Sequence, residues 1–444
     1  MPPLSSNPPF PETALCSNMT RREGRLCFAD QDTLALAEAY GTPLYLMDED
    51  RIRHNCRLYT ETFARCFPAG SQVLYASKAA SFRQMCRIVQ QEGLGLDVVS
   101  SGEIYTAMTA GFPMERVYYH GNNKTDEDIT FAMDAGVGCF VVDGEEELLA
   151  LEAEACRRDT RQKVLLRITP GIDPHTYDAV STGKVDSKFG VSIETGQAEP
   201  FVRLALAQPH LNVAGVHCHV GSQVFWEDVF ERSVMVMMAF IRTIRDRCGY
   251  LPEELDLGGG YGVRYVESDP EIHIPRKIAS VAETLYAIAK RLDLPVPKVL
   301  MEPGRSIVAD AGMTLYTVGS VKEITGYKRY VSIDGGMSDN PRYALYGSKY
   351  TCFNAGRMDE DADMRCDLVG KCCESGDIIQ PDILLPAATK RGDVVAVCTT
   401  GAYNFSMASG YNRMLRPPVV MLKEGRSYVA VGRETLNDLV HLDQ

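Results

Sequence analysis

Short apolar runs recur from Val73 to Arg305, separated by longer stretches in which apolar residues return every three to four positions. The runs are Val73–Ala76, Leu96–Val99, Val117–Tyr119, Cys139–Val142, Val164–Ile168, Val213–Val220, Leu255–Leu257 and Lys298–Met301, eight in all. Runs of this length suit strands buried on both faces, and the stretches between them suit amphipathic helices. After Ser81, a candidate N-cap, Phe82, Met85, Ile88 and Val89 share one helical face, and Gly93 offers a stop. Glu145–Ala155 and Val281–Leu292 read as helices of the same kind. Strand–helix alternation predicts a parallel sheet. Eight repeats in roughly 230 residues predict a closed (β/α)₈ barrel, with a doubly wound open sheet as the competing arrangement. The polar residues favour the barrel. Lys78, Asp97, His120, Asp143, Arg167, His219, Gly258 to Gly260 and Glu302 lie at or just after the run ends, where barrels build their sites.

Beyond Gly312 the pattern shortens to Thr314–Val318, Arg329–Ile333, Val394–Cys398, Val419–Leu422 and Tyr428–Val431. Turn signals at Asp334-Gly335-Gly336 and Lys423-Glu424-Gly425 separate these pieces, which predicts an antiparallel β domain. Residues 25–45 can add a strand or a helix to it. The expected division is a tail and packing segment over 1–45, a barrel over 46–312 and a β domain over 313–444. The Pro- and Ser-rich start, Met1 to Pro11, reads as a flexible tail and not as a targeting peptide.

Composition changes this picture little. Of 444 residues, 45% are hydrophobic and 24% charged, the balance of a globular protein with a large core. A net charge of −13 argues against a nucleic-acid partner. No apolar run approaches the roughly 20 residues that span a bilayer, so no membrane segment is expected. The 14 cysteines are irregularly spaced, which favours free thiols in a reducing cytoplasm.

Lys78 is the first chemical candidate. A lysine after a strand is usually a solvated charge, but at the mouth of a buried strand desolvation lowers its pKa and frees a nucleophilic lone pair. That points to a Schiff base with pyridoxal phosphate. Gly258, Gly259 and Gly260 allow close backbone approach to an anion, although a tight turn explains them equally well. Glu302-Pro303-Gly304-Arg305 ends the eighth run; Glu302 could face a pyridine nitrogen or simply pair with Arg305. His217 and His219 share one strand face. No C-x-x-C accompanies them, so no metal is expected, and an imidazole stacked on a cofactor ring is the better reading. Cys373 and Glu374 place a thiol beside carboxylates, or mark a buried cysteine and a turn. The Val234–Met238 run reads as a buried helix face, and Asp359-Glu360-Asp361 as a solvated loop.

Together these segments resemble the fold-type III pyridoxal-phosphate decarboxylases. The likeness runs from about Phe28 to the C-terminus. It rests on Tyr75–Ala79, Leu94–Ser100, His120–Lys124, Leu166–Gly171, Asp186–Gly190, His217–Gln223, Glu302–Arg305, Cys373–Asp377 and Gly401–Tyr403, in that order. The resemblance implies an alanine-racemase-like architecture, with pyridoxal 5′-phosphate as cofactor and Lys78 as its covalent anchor. Glu302 would pair with the ring nitrogen, where racemase relatives place an arginine. His219 would stack on the ring, and Tyr403 would cap it. Ser222, Gly258, Gly259, Gly260, Pro303, Gly304 and Arg305 would complete the cofactor site. Arg305, Arg342 and Tyr346 would bind a distal carboxylate of the substrate, and Glu374 its distal amine. Cys373 would act near Cα from the partner subunit of a homodimer. Arg167 and Asp97 would support the cofactor.

The implied reaction converts meso-2,6-diaminopimelate to L-lysine and CO₂. The alternatives are a decarboxylase of lysine, ornithine, arginine or carboxynorspermidine, and a non-catalytic protein on the same scaffold. Intact Lys78, Ser222, Glu302 and Cys373 speak against the last. Tyr261 and Tyr343 depart from the common family spellings and are read as packing differences.

Overall fold

The computed structural model describes residues 18–173, 185–226 and 228–444. They form two compact units. One comprises the described residues within 53–262 and 271–306; the other comprises 18–52, 263–270 and 307–444.

The first unit is a closed barrel of eight strands: β1 (Gln72–Ala76), β2 (Gly95–Val98), β3 (Val117–Tyr119), β4 (Cys139–Val142), β5 (Gln162–Thr169), β6 (Leu211–His217), β7 (Glu254–Asp256) and β8 (Lys298–Met301). Each runs parallel to the next. Leu300 and Met301 of β8 pair with Gln72 and Val73 of β1, which closes the ring and rules out the open sheet. Leu74, Tyr118, Cys139, Val141, Leu165 and Leu300 from five strands make one buried cluster. Burying such side chains contributes about 1.5–3 kcal/mol each.

The helices follow the expected periodicity. Arg83–Gln91 buries Met85, Cys86, Ile88 and Val89, and its cap position falls on Phe82, one residue past Ser81. Ser101–Ala110 is capped by Ser100, whose hydroxyl accepts from the Glu103 N–H at 3.2 Å. Val229–Cys248 buries Val234, Met237 and Met238 but exposes Met235. Tyr261 is buried, with its ring 4.2 Å from that of Phe230, in keeping with a packing role.

The second unit is a β domain organised on the long strand Gly312–Ile324. It pairs antiparallel with Lys328–Ile333, Val394–Cys398 and Leu44–Asp48. All five strands expected beyond Gly312 are present, and the N-terminal stretch supplies both element types: strand Arg25–Phe28 and helix Thr33–Tyr40. Three further strands were not anticipated: Cys352–Asn354, Met364–Val369 and Ile378–Leu385. Met364–Val369 is interrupted by Asp367, which is buried against the Lys328 ammonium at 2.7 Å. Ile378–Leu385 carries Pro381, and its register shifts against its neighbour. It lies at the sheet edge, where proline costs no ladder bond. Two pairings are parallel, Lys328–Ile333 with Met364–Val369 and Leu44–Asp48 with Val419–Lys423, so the domain is mixed around a mainly antiparallel frame. Leu26, Phe28, Leu44, Leu46, Met313, Leu315, Val420 and Leu422 belong to its core.

Among the described residues the cysteines are free thiols, and no helix is long and apolar enough to cross a membrane.

Candidate active site

The loops leaving the barrel strands are laced together by backbone hydrogen bonds. Val224 N–H donates to Gly260 O at 2.9 Å, Glu302 N–H to Gly258 O at 2.8 Å and Ala76 N–H to Pro303 O at 3.1 Å, joining the loops after β6, β7, β8 and β1. This lacing explains the glycine triplet. A Cβ on Gly259 would lie 2.1 Å from Glu302 O, and one on Gly260, at φ +122°, would lie 2.0 Å from Gly221 O. Neighbouring backbone, and not only an approaching anion, therefore requires glycine here.

Lys78 leaves β1 in the 3₁₀ turn Ser77–Ala79. Its Nζ lies 3.0 Å from Oδ2 of Asp97, a fully buried carboxylate at the end of β2. Ser222 and Arg305 stand together: the serine Oγ accepts from Arg305 Nη2 at 3.0 Å and Nε at 3.3 Å. Gly304 packs tightly, since a Cβ there would lie 2.9 Å from that of Ala76. Gly259 N–H donates to His219 Nδ1 at 3.2 Å, which places the ring proton on Nε2. Burial, and then the charges of Lys78 and Arg167, hold the His219 pKa well below its ordinary value, so this imidazole is neutral. Arg167 is buried 3.8 Å from Asp143 and stacks on the Phe189 ring at 4.4 Å; burial lowers its pKa.

Glu302 is the most heavily engaged group. His217 Nε2 lies 3.3 Å from Oε2, and His120 Nε2 lies 2.8 Å from Oε1. Burial opposes its charge, but the two imidazoles outweigh that and hold the carboxyl well below the usual range. Asp256, fully buried at the end of β7, goes the other way: burial and the Glu302 charge push its carboxyl well above that range. His217 is pushed down to about 4 by burial, so it serves Glu302 as a neutral N–H donor.

Several polar atoms of this floor lack a well-directed hydrogen bond: Asp97 Oδ1, His120 Nε2, His217 Nδ1, Asp256 Oδ2 and Glu302 Oε1. A buried polar atom left unmatched costs about 1–3 kcal/mol. The floor is therefore built to receive a polar group. The ligand atoms of His120, His217 and Glu302 lie within 4.8 Å of one another, a spacing a divalent cation could also use, although no metal was expected from the sequence.

The remaining sequence candidates belong to the β unit. Arg342 is buried; its Nη1 donates to Tyr350 OH at 2.9 Å, its Nη2 to Ser348 Oγ at 3.2 Å, and its guanidinium lies over the Tyr265 ring at 4.5 Å. Tyr346 follows one turn later on helix Arg342–Tyr346. Cys373 is exposed, with its N–H bonded to Asn412 Oδ1 at 2.7 Å. Glu374 accepts from the Gly376 N–H at 3.2 Å and from Tyr411 OH at 3.4 Å; these bonds, the Gly376 one first, lower its pKa. Tyr403 sits at φ +61°, a conformation rare for a bulky residue and common at functional sites. Asp377 ties two of these segments together. Its carboxylate accepts from the Met337 N–H at 2.6 Å and the Cys372 N–H at 2.7 Å, linking the loop that leads to Arg342 with the loop that carries Cys373.

The barrel thus gathers Lys78, His219, Ser222, Gly258–Gly260 and Glu302–Arg305, whereas Arg342, Tyr346, Cys373, Glu374 and Tyr403 are organised separately within the β unit. Sequence reasoning assigned no role to His120, Asp256 or Asp377. One signal was available for Asp256: an acid inside an apolar run of three residues is a buried charge in search of a partner.

Three comparisons bear on this arrangement. Residues 49–309 match the family described as pyridoxal-dependent decarboxylase, pyridoxal binding domain. The chain is 45% identical to diaminopimelate decarboxylase of Bacillus subtilis (strain 168), over 95% of this chain and 96% of that protein. The crystal structure of diaminopimelate decarboxylase from M. jannaschii in complex with L-lysine superposes with a TM-score of 0.90 at 33% identity, covering 97% of this chain and 98% of that one. Lysine/ornithine decarboxylase from Vibrio vulnificus, complexed with putrescine, superposes with a TM-score of 0.74 at 25% identity, covering 88% and 97%.

Proposed function

The chain belongs to the diaminopimelate decarboxylases, within the pyridoxal-dependent decarboxylase family, and on that premise we propose that it removes CO₂ from meso-2,6-diaminopimelate to release L-lysine, with pyridoxal 5′-phosphate held at the barrel's strand ends. The observation that carries this reading is the placing of Lys78 and Glu302 at adjacent strand ends, β1 and β8, with Asp97 beside the amine and two imidazoles on the carboxylate. The cofactor fits that setting. Lys78 offers the amine, Glu302 a carboxylate, and Ser222 with the backbone of Gly260 and Gly304 donors for an anion, the N–H groups of Gly258 and Gly259 being given to Asp256 and His219.

When bound, pyridoxal phosphate supplies an electron sink for the pair left as the Cα–carboxylate bond breaks. The residues of the chain do the rest. Lys78 would anchor the cofactor, with Asp97 holding its amine in place at 3.0 Å. Glu302 holds a proton on the ring nitrogen. Neutral His219 would support the ring without adding charge, and Tyr403 would help hold it. Arg305, Arg342 and Tyr346 bind the distal carboxylate, and Glu374 the distal ammonium, which fixes the scissile bond by its far end. Cys373 returns a proton at Cα. A lysine or ornithine substrate would bring no distal carboxylate to the two guanidiniums, which disfavours the alternative substrates. The free thiols are consistent with a reducing cytoplasm.

Product analysis tests the substrate. Incubation with meso-2,6-diaminopimelate and added pyridoxal phosphate should yield L-lysine and CO₂ in equal amounts, with no diamine formed from lysine or ornithine. Diamine formation without turnover of diaminopimelate would reverse the assignment.

The active form is a homodimer in which Cys373 of each subunit serves its partner's Lys78. Inactive Lys78→Ala and Cys373→Ala proteins, mixed and allowed to exchange, should then regain up to about a quarter of wild-type activity, because half the dimers are mixed and each carries one intact site. No recovery after verified exchange would place the site within one chain.

A further inference from the structure

His120 directly follows β3 and is 4% exposed. Its Nε2 lies 2.8 Å from Glu302 Oε1 and 3.8 Å from Asp97 Oδ1. It therefore stands between the carboxylate assigned to the ring nitrogen and the carboxylate beside Lys78. The other side of Glu302 is gripped by His217 from β6, and the two imidazoles pack edge to face, 5.0 Å between centroids at 67°. A glutamate has three side-chain torsions, and a carboxylate at its tip is aimed only if both oxygens are held. The backbone of Glu302 is fixed by its bond to Gly258 O. Its head group is fixed by imidazoles arriving from two strands elsewhere in the ring.

We propose that His120 is a positioning residue of the decarboxylase: with His217 it clamps the Glu302 carboxylate in the orientation that meets the cofactor's ring nitrogen. This rests on the cofactor assignment made above. His120 does not touch substrate and acts through Glu302. His120 meets Glu302 Oε1 by a close 2.8 Å electrostatic contact and not by a fully aligned hydrogen bond, so that oxygen keeps bonding capacity for a further donor. A proton arriving on a ring nitrogen beside Oε1 would complete that oxygen's bonding. Without His120, one of the two groups that offset burial at Glu302 is gone, and the carboxyl takes up a proton more readily. A neutral carboxyl cannot keep the ring nitrogen protonated.

The test compares wild type, His120→Ala, His120→Asn and His120→Gln. The readouts are the affinity of the cofactor-free protein for pyridoxal phosphate, the absorption spectrum of the bound cofactor, and kcat and KM for meso-2,6-diaminopimelate. His120→Ala should bind the cofactor about 10- to 100-fold more weakly, the range expected for losing a hydrogen bond to a charged group. Its bound cofactor should show a shifted absorption band, and kcat should fall over the same range while KM stays close to wild type. The amide of His120→Gln reaches Glu302 and should recover most of the loss. The shorter His120→Asn should not recover it, and replaces alanine if that variant does not fold. Wild-type affinity and spectrum in His120→Ala, or in His120→Asn, would overturn the inference, as would a variant that only melts earlier. Borohydride reduction of the wild type separates the two layers: absence of a pyridoxyl adduct at Lys78 removes the cofactor reading and this inference with it, whereas an adduct with His120 variants indistinguishable from wild type removes this inference alone.

Discussion

Lys78→Ala protein will show turnover reduced by roughly 10³-fold or more, the loss expected when a covalent anchor is removed, and its cofactor will no longer be trapped on the chain by borohydride. Two lysines follow barrel strand ends closely enough to be considered, and their surroundings distinguish them. Lys124, after β3, has its three donors committed to Gly121 O at 3.0 Å, Val141 O at 2.9 Å and Glu147 Oε1 at 2.8 Å. It is a structural ion, and burial lowers its pKa without giving it a reacting partner. Lys78 lies in a turn at the strand mouth, keeps 40% of its side chain exposed, and has Asp97 at 3.0 Å to hold its amine in place. Lys124→Ala is therefore the matched control. It strands the buried Glu147 carboxylate and should destabilise the fold while the folded fraction still carries a reducible adduct at residue 78. Substantial activity in Lys78→Ala, or an adduct that moves to Lys124, would be incompatible with the proposed anchor.

Glu302→Gln should lower kcat by about 10²- to 10³-fold, the loss typical of removing one preorganised electrostatic group, with a much smaller change in KM. The substitution preserves shape and hydrogen-bonding capacity but deletes the charge. In the native floor that charge sits among buried carboxyls and persists because His120 and His217 face it. Asp256 is a poor substitute, since burial, the largest influence on its carboxyl, still disfavours its charge once the Glu302 charge is gone. A glutamine leaves the ring nitrogen without a counter-charge, so the developing electron pair has a poorer sink. The distal contacts proposed for Arg305, Arg342 and Glu374 are left intact by the change. Steady-state kinetics with the cofactor at saturation separates these effects. A kcat within a few-fold of wild type would mean that Glu302 does not face the ring nitrogen.

The eight barrel strands were legible because β-strands buried on both faces must be apolar almost without interruption, and each run ends where the chain meets water. The helices between them were legible through periodicity. Two of the three strands missed beyond Gly312 share a cause. Met364–Val369 and Ile378–Leu385 carry Asp367 and Pro381, which local rules count against a strand. They are tolerated because Lys328 neutralises the aspartate and the proline lies on an edge.

The catalytic inventory was similarly divided. Lys78, His219, Glu302 and the glycines were marked by position, because the ends of barrel strands are where side chains can converge, whereas Ser222 was marked by the family resemblance. By itself, then, the sequence determined the strand count, the order of the ring and which polar residues crown it, since these follow from periodicity and from the alternation of buried runs with breaks. Only the tertiary structure decided who stands next to whom. That Glu302 is held by His120 and His217, that burial and the Glu302 charge push the Asp256 carboxyl up, and that Gly259 and Gly260 are glycine because backbone lies within 2.1 Å of where a side chain would begin, are outcomes of how the strand ends pack. These contacts join residues from 39 positions apart, as in Gly221 and Gly260, to 182, as in His120 and Glu302, and no local pattern encodes the distance between them.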